Sequence, residues 1–197
     1  GGHTSLFRVE GFEQVTFLGG TRDDAAGEAF DKAAKQMGLG YPGGVAIDRL
    51  SQEGDRTRFS FPRAWLSPES ADFSFSGLKT ALRVFLSSAE GKAARREDIA
   101  ASFQEAIVDV LVGKTLGAAK REGIPRVVLA GGVSANSRLR VKSEAEGARA
   151  GMEVHLPSKA LCTDNAAMVA FLGERRLSAG LASGLDLNAY AASRFSR

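Results

Sequence analysis

The chain of 197 residues carries 26 Lys and Arg against 23 Asp and Glu, a net charge of +3, with 44% hydrophobic and 25% charged residues. It is globular and long enough for a sizeable core, and no apolar run approaches the ~20 residues that a membrane span requires. A single cysteine, Cys162, excludes an internal disulfide framework and fits a reducing compartment, so a cytoplasmic location is expected.

In chain order, the first pattern is a hairpin. Apolar and polar residues alternate over 3–9 and 14–18 around Glu10-Gly11-Phe12-Glu13. The glycine pair Gly1-Gly2 ahead of this hairpin is the kind that follows an earlier strand, so the sheet is expected to lack a member. No targeting signal is visible at this end. Ala26, Phe30, Ala33 and Met37 recur at helical spacing over 23–37, with Asp23 or Asp24 suited to the N-terminus and Gly38 to the stop. The other face of that helix sets Asp31 one turn beyond Gly27, a carboxylate over a bare step where a bulky group can lie. Tyr41-Pro42-Gly43-Gly44 is turn chemistry, and a short helix over 45–50 is expected to carry Asp48 on its first turn.

Residues 51–77 read as loop, in which Phe73 and Phe75 alternate with polar residues in a short strand or a packed loop. Asp98 is expected to cap a long helix ending near 121, with Ile99, Phe103, Ile107, Val110 and Leu111 inward. The run Val127-Val128-Leu129-Ala130 reads as a short strand buried on both faces, stopped by Gly131-Gly132 and followed by a helix over 138–150 that Ser134 or Asn136 can cap. Such a strand, glycine turn and helix start is either an ordinary tight turn or a site that points backbone N–H groups and a helix dipole at an anion. A brief strand over 152–156 and a last helix opening at Asp164 complete a mixed α/β order. Two groups of cations stand out, Lys79, Arg83, Lys92, Arg95 and Arg96, then Arg138, Arg140, Lys142 and Arg149; they are solvated helix faces or surfaces for nucleic acid.

Metal chemistry is constrained by spacing. His3, His155 and Cys162 form no zinc pattern, there is no His-Glu-x-x-His, and no Walker signature occurs. Cys162 reads as a small packed residue, His155 as structural, and Asp164 as an N-cap or a ligand to a metal that this chain cannot hold alone.

Six blocks then fall in one order: Gly1-Gly2-His3-Thr4, the stretch from Asp23 through Asp31 to Lys32, Tyr41-Pro42-Gly43-Gly44, Asp72-Phe73-Ser74-Phe75-Ser76-Gly77-Leu78-Lys79-Thr80, Ala130-Gly131-Gly132-Val133-Ser134-Ala135-Asn136-Ser137, and Cys162-Thr163-Asp164-Asn165-Ala166-Ala167. Together they closely resemble the motifs of the tRNA threonylcarbamoyladenosine transferase family, known in bacteria as TsaD or Gcp and formerly labelled O-sialoglycoprotein endopeptidase. The resemblance implies an α/β fold of the actin-like ATPase superfamily, with 1–163 as the second ribonuclease-H-like domain, its first strand upstream of residue 1, and 164–197 as a C-terminal helix packing toward a first domain outside this chain.

The resemblance also implies roles. Gly1 and Gly2 end the donor-binding loop, Asp31 holds the nucleotide ribose, Gly44 and Asp48 line the same pocket, and Asn136 meets the nucleotide from the other side. Asp164 matches one ligand of an iron or zinc ion whose two histidine ligands lie upstream. The implied activity is acyl transfer from threonylcarbamoyl-AMP to the exocyclic amine of an adenosine beside the tRNA anticodon, with ATP or AMP as related nucleotides, tRNA as substrate, the proteins of the bacterial threonylcarbamoyl transferase complex as partners, and no membrane. No catalytic base is identified. Two other readings stay in view: a nucleotide-binding regulatory or scaffold subunit, which leaves Asp164 without a task, and a metalloprotease, which lacks a water-activating Glu within any His-based motif.

Overall fold

The computed structural model describes residues 2–67 and 69–188. The alternating start folds as an antiparallel hairpin of β1 (Ser5–Val9) and β2 (Val15–Gly20), in which Phe7 sits opposite Phe17 and their rings meet edge to face at 5.6 Å. Then follow α1 (Ala26–Gln36), α2 (Gly43–Ser51), α3 (Ser76–Ser87), α4 (Ala89–Ala93), α5 (Arg96–Arg121), β3 (Arg126–Val128), α6 (Ser137–Arg149), β4 (Glu153–His155) and α7 (Ala166–Ser178). A 3-10 turn, Gly132–Ala135, joins β3 to α6, and a second, Lys159–Leu161, precedes α7.

The core lies where α1, α2 and α3 pack around α5. Its aromatic centre is Phe103, which meets Phe61 at 5.8 Å and Phe30 at 6.5 Å, both edge to face, the geometry that ring quadrupoles favour. The expected inward residues Ile99, Phe103, Ile107 and Val110 are all buried, and Leu111 is partly so. Yet α5 is no simple amphipathic helix, because Ser102, Gln104, Glu105 and Lys114 are buried as well.

Each of those polar side chains has a partner. Glu105 accepts from Arg138 Nε at 2.6 Å and Lys142 Nζ at 2.7 Å; Lys142 also pairs with Asp109, which binds Arg63 at 2.8 Å. Lys114 donates to the carbonyls of Trp65 and Ser70. Arg138 and Lys142 are therefore anchors of α6 on α5 rather than part of a basic face, and Arg140 and Arg149 are turned to the Ser134 carbonyl and Glu146. The other cationic group is also partly spent, Lys79 on Asp24, Arg95 on Glu97 and Asp98, and Arg96 on the Met37 carbonyl, which leaves Arg83 and Lys92 exposed.

Several sequence expectations are corrected by contacts between distant residues. Helix α1 begins at Ala26, whose N–H is accepted by the Thr4 hydroxyl, and Asp23 serves another helix: it accepts from the Ser74 and Ser76 hydroxyls and from the N–H groups of Phe75 and Ser76 at the start of α3. Asp98 is inside the first turn of α5, after an uncapped Arg95, and accepts from Asp55 N at 2.8 Å. Asp48 falls in the second turn of α2, since that helix starts at Gly43. Helices α3 and α4 are not expected from the sequence, and 72–75 is a packed loop that meets the end of the hairpin through a parallel bridge between Thr21 and Phe73 and through the Gly20 N–H on the Asp72 carboxylate at 3.1 Å, with the buried Phe73 and Phe75 rings stacked.

The strand at Val127 is also different from the expectation. Among the described residues β3 pairs only with β4, in parallel, and Val128 is 70% exposed while Val127 is buried. The hairpin does not pair with β3; between them runs an open groove of about 1800 Å³, walled by β1, by Leu111, Thr115 and Ala119 of α5, and by Val128. No described helix is long and apolar enough to cross a membrane.

Burial raises the Glu105 carboxyl, but Arg138 and Lys142 outweigh it and hold the group down at about 2, against an ordinary 4.5. A pKa lower in the folded state contributes stability that is complete above pH 4.5 and lost as the pH falls toward 2, an upper bound of roughly 3 kcal/mol. Thermal unfolding followed from pH 7 to 2 will show the wild type losing stability through that window and Glu105→Gln, already less stable at pH 7, losing less there; identical acid limbs would contradict the assignment.

Candidate functional site

The site begins with a close crossing of α1 and α2. Gly43, the first residue of α2, donates its N–H to Asp31 Oδ1 at 2.8 Å, so a carboxylate in the middle of α1 stands at the positive end of α2. A Cβ on Gly43 would lie 2.6 Å from Asp31 Cα and 2.8 Å from Ala34 Cβ, whereas one on Gly44 would meet only Phe30 Cβ, at 3.8 Å. The glycine that this approach demands is thus Gly43, and Gly44 is half-buried beside it. The sequence marked Gly44; the requirement at its neighbour comes from helix packing, which spacing alone does not disclose.

Beside Asp31 opens a cavity of about 390 Å³, lined by Asp31, Lys32, Lys35, Leu39, Gly40 and Tyr41. Lys32 is held over Asp24 and Glu28, each at 2.6 Å, and those partners raise its pKa. Asp24, raised by burial but more strongly lowered by Lys32 and Lys79, is a lasting anion there. Tyr41 is almost fully exposed at the cavity's edge.

The second half is the turn after β3. Gly131 has φ +86°, a left-handed conformation that glycine adopts without strain, and no atom within 4 Å would meet a Cβ there or at Gly132. The turn packs against α1, so residues about a hundred positions apart come together as expected. Asn136 is the cap of α6, its Oδ1 accepting from Leu139 N at 2.9 Å. Asp48 accepts from both the N–H and the hydroxyl of Ser137, at 3.1 and 2.7 Å. The expectation that Asp31 and Asn136 face one cavity is not met: Asn136 is 7% exposed, its carboxamide faces inward to Gln104, and it is not among the walls of the cavity beside Asp31.

Sequence reasoning missed the link between this turn and the third part of the site. The Ser134 hydroxyl reaches the buried Cys162 Sγ at 3.1 Å, which sets the segment before α7 against the glycine turn. Asp164 follows two residues later, exposed. It is not the helix cap: Asn165 is, accepting from Met168 N at 3.0 Å. Among the described residues no group of three or more His, Cys, Asp or Glu is placed to hold a metal, and His155 pairs instead with Glu153 on β4. Gly1 lies outside the described residues, and Gly2 is exposed with open space around it.

Two substitutions separate packing from capping. Gly43→Ala is expected to destabilise the protein by about 1–3 kcal/mol in denaturant unfolding, as overpacking does, and Gly44→Ala by much less. Asn165→Ala is expected to cost about 0.5–2 kcal/mol through α7, with Asp164→Ala near neutral; the reverse order would restore the cap to Asp164.

A family model described as TsaD, tRNA N6-adenosine threonylcarbamoyltransferase, matches residues 1–171. Curated relatives of that name are 55% identical over 192 residues in Syntrophus aciditrophicus and 56% over 191 in Geobacter metallireducens, in each case over 96% of this chain and 56% of the relative. The chain therefore spans about half the length of the curated relatives it matches. Among solved structures it is similar to HypF from T. kodakarensis, with TM-score 0.57 at 20% identity over 85% of this chain and 21% of the other, and to full-length HypF in a phosphate- and nucleotide-bound form, with TM-score 0.60 at 20% identity over 81% and 21%. At that identity the likeness concerns the fold, an assembly of helices and small sheets. The chain belongs to the tRNA N6-adenosine threonylcarbamoyltransferase family.

Proposed function

We propose that this chain is the nucleotide-binding part of an enzyme that transfers the threonylcarbamoyl group of threonylcarbamoyl-AMP to the exocyclic amine of an adenosine next to the tRNA anticodon. The observation that carries the reading is the Asp31–Gly43 crossing, one carboxylate fixed at a helix start with a cavity next to it, together with a glycine turn that has open space around it on the element that packs against α1. In the reaction the amine nitrogen attacks the carbamoyl carbonyl carbon, the bond to the phosphate oxygen breaks, AMP leaves, and the amine gives up a proton.

Asp31 has one oxygen on Gly43 and a second to accept from ribose hydroxyls. The N–H groups at Gly131 and Gly132 suit the negative charge that grows on the phosphate as AMP departs. Asp164, a carboxylate not used as a helix cap, is the donor this chain would offer to a divalent iron or zinc, whose other ligands are not among the described residues. When bound, such an ion supplies a Lewis acid that polarises the carbonyl.

The fold proposed is an actin-like ATPase domain of the ribonuclease-H type over 1–163. A further strand between β1 and β3 would fill the groove that separates them. The segment 164–197 is proposed to pack on another domain of the same enzyme: Met168, Val169, Phe171 and Leu172 of α7 are exposed, which no isolated helix favours. A cytoplasmic location, tRNA bound through phosphates at Arg83 and Lys92, and partners in the bacterial threonylcarbamoyl transferase complex belong to the same proposal. A non-catalytic regulatory subunit would use the same pocket and have no use for Asp164.

In calorimetry of the intact enzyme with AMP, Asp31→Ala is expected to weaken binding by about 1–3 kcal/mol, the scale of hydrogen bonds to a charged group. Asp164→Ala is expected to abolish metal retention and transfer while leaving the fold and most AMP affinity; an unchanged metal content would overturn the assignment of Asp164 as a ligand.

A further inference from the structure

The cavity beside Asp31 has a wall that a ribose contact leaves unused. Three of its six lining residues, Asp31, Lys32 and Lys35, are charged, yet the surface it presents is mainly apolar. The contacts explain why. Lys32 turns its ammonium to Asp24 and Glu28, Asp31 has Oδ1 on the Gly43 N–H, and Lys35 is exposed. What faces the cavity is then the methylene stems of the two lysines, the half-buried Leu39 and the Tyr41 ring. A Cβ on Gly40 would meet no atom within 4 Å, so nothing crowds the backbone beside that ring. At about 390 Å³ the space is in the range of small-molecule sites.

Tyr41 is 86% exposed, more than any other aromatic ring among the described residues. Its place is set by the same crossing that fixes the carboxylate, because the N–H that Asp31 accepts belongs to Gly43, two residues further along the chain. The ring and the Asp31 carboxylate therefore border one cavity, the ring as its only aromatic face. A ribose on Asp31 carries its base one glycosidic bond away, a distance that this cavity spans. Every base has a flat π-face whatever the pattern of its edges, and an uncovered tyrosine is a rigid, amphipathic platform for it.

We propose that Tyr41 stacks on the base of the nucleotide whose ribose Asp31 holds, and so is the residue that makes the site prefer a nucleotide to a bare ribose phosphate. The inference rests on the nucleotide reading for the role of Asp31, and on the aromatic wall of the cavity for the role of Tyr41.

The test is calorimetry of the intact enzyme and its Tyr41→Ala, Tyr41→Phe and Asp31→Ala variants with two probes, AMP and ribose 5-phosphate, which lacks the base. Tyr41→Ala is expected to weaken AMP about tenfold to a hundredfold, the scale of one base on one aromatic ring, and to leave ribose 5-phosphate unchanged. Tyr41→Phe, which keeps the ring, should bind AMP like the wild type, and Asp31→Ala should weaken both probes. Because the side chain is exposed, the melting temperature of Tyr41→Ala should equal that of the wild type. In nuclear magnetic resonance the Tyr41 ring protons, identified by their loss in Tyr41→Phe, should move upfield with AMP and stay in place with ribose 5-phosphate. An AMP affinity of Tyr41→Ala equal to that of the wild type, equal losses for the two probes, or a Tyr41→Phe as weak as Tyr41→Ala would overturn the proposal while leaving the role of Asp31 standing. AMP that fails to bind the wild type, or binds Asp31→Ala as well, would sink the nucleotide reading and this inference with it.

Discussion

A long helix buried on nearly every side must find a partner for each polar side chain it carries, and the arrangement of this protein follows from how α5 meets that requirement. An unsatisfied buried donor or acceptor costs about 1–3 kcal/mol, more if charged, so the polar residues of α5 specify which element lies against each of its faces. Ser102 donates to the Asp55 carbonyl and accepts from Phe59 N, fixing the loop after α2. Gln104 selects Ser51 and Asn136, Glu105 and Asp109 select α6 and Arg63, and Lys114 selects the carbonyls at Trp65 and Ser70. The apolar residues between them, with Phe103 at the centre, supply the driving force but little direction.

A second device recurs at the helix starts. Rather than being capped by the residue just before it, α1 is capped by Thr4, α2 by Asp31, α3 by Asp23, and α6 receives Asp48 on Ser137 in addition to its own Asn136. Each of these joins elements distant in sequence and sets a carboxylate or hydroxyl against the positive end of a dipole. Asp23 shows the consequence: burial raises its carboxyl, but the Ser74, Phe75 and Ser76 donors outweigh that and keep it ionised well below the usual range. The candidate site inherits this rigidity, since Asp31 and Asp48 are at once its residues and the bolts of its helices.

Two surfaces are built differently. The groove between the hairpin and β3 and the exposed apolar residues of α7 present strand edge and hydrophobic area to solvent, which isolated domains ordinarily cover. They lie on a chain that spans about half of its relatives' length; the groove is lined in part by the glycine turn, and α7 follows directly on the segment that carries Asp164.

Local pattern was enough for the hairpin, for α1 and for the apolar stripe of α5, because period and turn chemistry depend on neighbours in sequence. It was also enough for the family, since six short motifs in one order are specific. It missed α3 and α4, took Asp98 for a cap, and read Arg138 and Lys142 as a surface, because each of those questions turns on what a side chain meets across space. Only the tertiary structure decided that Gly43 is the sterically required glycine, that Asn136 is held by Gln104, and that Cys162 joins the turn to the segment carrying Asp164. The physical reason is the same throughout: propensity is local, whereas the satisfaction of buried polar groups and the closeness of two helices are properties of residues brought together from distant parts of the chain.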